Sequence, residues 1–60
     1  MNAAQAKRLL KYTIVMWDKN PKDLGTVVAV GTLSFMVNWT HPEGKERLIR
    51  NNKAGKVSVL

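Results

Sequence analysis

Apolar and polar positions alternate cleanly in one part of the chain: Leu33, Phe35, Val37 and Trp39 are interleaved with Ser34, Met36, Asn38 and Thr40. Successive side chains of a β-strand point to opposite faces, so this period of two puts the large residues on one buried side. The preceding run, Gly25-Thr-Val-Val-Ala-Val30, is rich in β-branched residues and predicts a partner strand. Gly31-Thr32 between them predicts a hairpin with a two-residue type II′ turn, in which Gly31 takes the positive φ of the first central position. In that register Val30 faces Leu33, Val28 faces Phe35 and Thr26 faces Val37, while Val27 meets Met36 and Ala29 meets Ser34. A slip of one residue would turn the apolar set outward.

The flanking segments extend the pattern. Tyr12-Thr-Ile-Val-Met-Trp17 predicts a first strand, apolar enough on both faces to be central in a curled sheet, and the polar run from Asp18 to Asp23 predicts a loop in which Pro21 prevents helix. His41-Pro-Glu-Gly-Lys45 has the chemistry of a turn, with Pro42 suited to its second position and Gly44 to positive φ. Glu46 to Arg50 returns as a fourth strand whose register stays open, because the turn can hold four or five residues; five would set Ile49 opposite Val37 and Arg47 opposite Trp39. Asn51 to Gly55 suits a compact turn with one turn of 3₁₀ helix. Lys56-Val-Ser-Val-Leu60 predicts a short fifth strand with Val57 and Val59 on one side.

At the start of the chain, Asn2 is an N-cap residue ahead of good helix formers, and Lys7, Arg8 and Lys11 sit where a helix dipole favours cations. About nine residues make a marginal helix without packing, so residues 1–11 read as a basic helix or arm, docking through Ala6, Leu9 and Leu10. Residues 12–60 read as a single mainly β domain.

Five strands joined by tight turns, with one clean apolar face, predict a small, strongly bent five-stranded sheet or barrel. The pattern Gly25-Thr26-Val27-Val28, then Val37-Asn38-Trp39, Gly44-Lys45, Leu48-Ile49 and a short turn into Val57-Ser58-Val59-Leu60 resembles the SH3-like small β-barrels. Its nearest versions are the nucleic-acid and chromatin-associated KOW-type and Tudor-like ones, and the resemblance spans residues 12–60. It implies a barrel fold and a binding rather than a catalytic role. The segment from Asp18 to Leu24 lacks the acidic, aromatic signature of peptide-binding SH3 domains, and no set of aromatic residues suggests a methyl-lysine cage.

A chain of 60 residues has room for one domain and one small core. It has no Cys and a single His, which excludes disulfides and leaves no metal site or cofactor to expect. No stretch approaches the ~20 apolar residues of a membrane span, and no targeting segment stands out, so a soluble, cytoplasmic protein without a membrane partner is expected. Catalysis finds no support. Ser34 and Ser58 lie on strands, His41 sits in a turn without an acid partner, Asp18 and Asp23 flank a loop, and Gly25 and Gly31 punctuate strands rather than cradle phosphate.

Charge changes the picture most. Ten Lys and Arg against four Asp and Glu leave a formal net charge of +6, which points to a polyanion, DNA or RNA, ahead of plain solubility. Lys45, Arg47, Arg50, Lys53 and Lys56 crowd the end of the chain, and Lys7, Arg8 and Lys11 the start. These are the candidate phosphate contacts, although Arg47 and Arg50 have odd spacing and point to opposite faces of a strand. Trp17, Tyr12 and Met36 are candidates for base stacking or partner contact, and Trp39 belongs to the core. The sequence therefore predicts a non-enzymatic nucleic-acid-binding barrel that contacts the backbone with low sequence specificity. The alternative is a protein-interaction module, such as a small phage-like regulator docking on a larger protein by an apolar face that includes Trp17, Met16 or Met36. It would act as a monomer, or as a small homo-oligomer that self-assembles through the edge at Val57 to Leu60.

Overall fold

The computed structural model describes residues 1–40 and 44–60; the expected turn at His41, Pro42 and Glu43 lies outside them. Its centre is the alternating strand. β3 (Ser34–Trp39) buries Phe35, Val37 and Trp39 and leaves Ser34, Met36 and Asn38 half-exposed, as a period of two requires. With β1 (Ile14–Trp17), β2 (Asn20–Val30), β4 (Lys45–Arg50) and β5 (Val57–Val59) it makes one antiparallel sheet in the order β4-β3-β2-β1-β5. β1 is hydrogen-bonded on both sides, whereas β4 and β5 are the two edges and are not paired with each other. A 3₁₀ turn, Asn51–Lys53, separates them in the chain.

The β2–β3 hairpin is not built on the expected turn. Gly31 lacks positive φ, and Val30 pairs with Phe35 so that four residues, Gly31 to Ser34, lie between paired positions. Leu33 is 80% exposed in that connection rather than on the buried face. Three hydrogen bonds hold the segment open: Gly31 N–H donates to Ser34 O (2.8 Å), Asn51 N–H to Leu33 O (2.9 Å), and Asn51 Nδ2 to Thr32 O (3.2 Å). Two of the three come from the 3₁₀ turn, distant in sequence. A bulge between Val27 and Ala29 then restores inward facing, with Val27 opposite Val37, Thr26 opposite Asn38, and Gly25 opposite Trp39. The run Val27-Val-Ala-Val30 carries no alternation of its own, so nothing local fixed which residue would face in.

The polar segment from Asp18 to Asp23 is also mostly strand. Only Asp18 and Lys19 form the turn, both with positive φ (51° and 57°), as a two-residue type I′ hairpin demands. Trp17 then pairs with Asn20, Met16 with Leu24, and Pro21, Lys22 and Asp23 fill the irregularity between them. Proline is tolerated there because a bulged residue owes no N–H to the ladder. Asn20 Oδ1 accepts from Lys22 N–H (3.0 Å) and so secures the bend. At the other end of β1, Tyr12 precedes the strand in a turn with φ 72°, its N–H donating to Val27 O (2.6 Å).

β4 pairs Ile49 with Phe35, Arg47 with Val37 and Lys45 with Trp39, leaving five residues between paired ends. The five-residue connection is one of the two expected lengths, but the pairing lies two residues from the expected Ile49–Val37 and Arg47–Trp39, and an even displacement keeps every side chain on its expected face. Gly44 takes the expected positive φ, 80°. In β5, Val57 is buried and Val59 is exposed, so the two do not share one environment.

Helix α1 spans Ala3–Lys7. A capping box fixes its start, Gln5 N–H donating to Asn2 Oδ1 (2.8 Å) and Asn2 N–H to Gln5 Oε1 (2.9 Å). Ala6 and Leu9 enter the core, but Leu10 does not and is 74% exposed. The helix ends at Arg8 and the chain turns back at Leu10, whose carbonyl accepts from Thr13 N–H (3.2 Å) and Thr13 Oγ1 (2.7 Å). Ala6 and Leu9 join Val15, Val27, Phe35, Val37, Trp39, Ile49, Ala54 and Val57 in a single apolar cluster.

Candidate functional site

β4 is a sheet edge, so side chains on both of its faces reach one open flank of the molecule. Lys45 and Arg47 share the core-side face with Ile49 because they pair with Trp39, Val37 and Phe35. Arg50 lies on the opposite face, pairing with Ser34, as the odd spacing predicted. Past the end of β4, Lys53 follows in the 3₁₀ turn. All four cations line a single groove of about 520 Å³, which Ile49, Leu48, Trp17, Trp39 and Asp23 also line.

Two indoles belong to the lining. Their ring centroids are 6.1 Å apart at an interplanar angle of 85°, an edge-to-face contact. Trp39 is 8% exposed and serves mainly as core, whereas Trp17, at the end of β1, is 38% exposed. Trp39 can lie flat against β2 only because its partner there is glycine. A Cβ on Gly25 would stand 2.6 Å from Trp39 Cε3 and 2.5 Å from Val37 Cγ1. The Asp23 carboxylate accepts a hydrogen bond from Asn20 Nδ2 (3.2 Å), which ties it to the hairpin that carries Trp17.

Not every candidate residue converges here. Lys56 lies in the turn before β5, where its carbonyl accepts from Asp18 N–H (2.6 Å), and does not line the groove. Arg8 lines a separate recess with Met1, Gln5, Ser58 and Val59. Lys7 and Lys11 border neither, and Lys11 Nζ sits 5.2 Å from the ring centroid of Tyr12, itself 69% exposed. Met36 is half-buried on the outward face of β3, between Ala29 and Leu48. Asp23 and Trp39 are site residues that the sequence did not single out. Their signal was indirect: a glycine two residues after the acid, which strand pairing sets opposite the indole.

Among the described residues no three His, Cys, Asp or Glu side chains cluster to hold a metal ion, and no helix is long and apolar enough to cross a membrane. Comparison with protein-family models, with curated proteins and with solved structures finds no match for this chain.

Proposed function

We propose that this protein is a non-enzymatic nucleic-acid-binding module of SH3-like barrel form that holds the phosphate backbone along β4. The observation that carries the reading is the convergence of Lys45, Arg47, Arg50 and Lys53 on one groove beside an exposed indole. Four cations on a molecule of net charge +6 make a strong local field, and phosphate contacts of this kind act through counterion release rather than base readout. The barrel reading draws support from the meander order, from a bulged eleven-residue β2 long enough to serve both halves of a bent sheet, and from the 3₁₀ turn between the edge strands.

Fluorescence anisotropy with labelled DNA and RNA across a salt series tests it. Four phosphates neutralised give a slope of log K against log salt between about −3 and −4. The Arg47→Ala/Lys53→Ala double variant should weaken DNA and RNA binding alike and flatten that slope. Absence of binding at low salt would overturn the reading.

A second reading rests on the unpaired edge of β5, where Val59 and Leu60 are exposed. A free, apolar edge suits addition of a strand from another copy of the chain or from a protein partner. Sedimentation showing only monomer, and loss of all captured partners on nuclease treatment, would remove it.

A further inference from the structure

The groove is chemically divided along its length. Gly25, Trp39 and Lys45 form one row across β2, β3 and β4, and Asp23 leaves β2 two residues beyond that row. The carboxylate therefore lies at the Lys45 end, beside Trp17, while Arg50 and Lys53 lie at the other end and Arg47 between. A carboxylate repels phosphate and accepts only from donors, so the Asp23 end disfavours backbone and favours an N–H group. The exposed indole of Trp17 offers a flat apolar surface at that same end.

We infer that the groove is a site for an unpaired nucleotide, with its base stacked on Trp17, its donor edge turned to Asp23, and its phosphates against Arg47, Arg50 and Lys53. The inference rests on the nucleic-acid reading and adds to it the strand state and a base preference. Unpaired bases are required because in a duplex each base face is already covered by its neighbours, and the Trp17 ring would have nothing to stack on. The groove's volume of about 520 Å³ suits a nucleotide-sized ligand rather than the broad surface a duplex presents. Cytosine and adenine present exocyclic amino groups that a carboxylate accepts. Thymine and uracil flank their ring N–H with two carbonyl groups, which a carboxylate repels. The edge-to-face contact from Trp39 holds Trp17 in orientation, so the platform exists before the ligand arrives.

The test is anisotropy with labelled oligomers of about twelve nucleotides, within the site sizes of single-strand binders: oligo-dC, oligo-dA, oligo-dT and a mixed duplex. Oligo-dC and oligo-dA should bind more tightly than oligo-dT and duplex. Trp17→Leu should weaken single-strand binding by roughly 5- to 150-fold, the loss expected for one base stack, and weaken duplex binding by much less. Asp23→Asn should bring oligo-dT level with oligo-dC. Quenching of tryptophan fluorescence by oligo-dC in the unaltered protein reads the same stack without any substitution, which covers a Trp17→Leu variant that fails to fold. Equal, salt-dependent affinity for all four ligands with no quenching overturns the inference and leaves the backbone-binding reading standing. No binding of any of them overturns both.

Discussion

Gly25 and Trp39 face each other across β2 and β3, and the absence of a Cβ on the first is what seats the indole of the second. A methyl group there must displace Trp39 or Val37, because contacts of 2.5 and 2.6 Å lie well inside van der Waals separation. Gly25→Ala is therefore expected to cost about 1–3 kcal/mol, the range for overpacking a tight core. In a domain of this size that lowers the Tm by roughly 4–8 °C per kcal/mol, readable by thermal denaturation. The same substitution should weaken ligand binding in the groove, since Trp39 and Trp17 pack against each other edge-to-face. A glycine inside a β-prone run is read from sequence as punctuation. Its meaning here depends on a residue fourteen positions on, which only the pairing of strands brings opposite.

The β1–β2 hairpin and helix α1 show how far local chemistry reaches. The type I′ turn needs positive φ at both central positions, and Asp18 and Lys19 supply it at the steric cost any side chain carries there. Lys19→Gly should thus stabilise the protein by up to about 1 kcal/mol, seen as a higher midpoint in urea denaturation with an unchanged slope. Glycine's greater freedom in the unfolded chain keeps the gain from being larger. Lys19 stands where the usual Asn-Gly or Asp-Gly signal has glycine, so the sequence predicted a long polar loop and the hairpin went unseen. The start of the helix was partly legible by contrast, since Asn2 reads as an N-cap although helix and arm stayed open. Asn2 and Gln5 meet as a capping box, and Asn2→Ala should cost about 1 kcal/mol, measured by the same unfolding experiment, because Ala6 and Leu9 dock only if the first turn forms.

For the molecule as a whole, one apolar cluster joins every element, and its largest fully buried member is Phe35. Phe35→Ala is expected to cost about 3–5 kcal/mol against a total stability of about 5–15 kcal/mol for a small domain, so circular dichroism should show a largely unfolded chain on mild warming. Most of the strands around this core, the inward face of β3, the facing of β4 and the N-cap at Asn2 were legible in the sequence. Each depends on alternation or on capping contacts between near neighbours, which act over a few residues whatever the rest of the chain does. Tertiary structure decided the rest. The register of β2 was set by a bulge and by Asn51 reaching back to Thr32 and Leu33, because Val27-Val-Ala-Val30 is apolar on both sides and favours neither face. Asp23 joined the groove only through the tight turn at Asp18-Lys19, and Lys56 and the basic arm stayed out of it although they match the other cations in type. Charge is a property of residues and can be counted along a chain, but which charges share a surface depends on register and turns, and those were fixed by contacts between residues far apart in sequence.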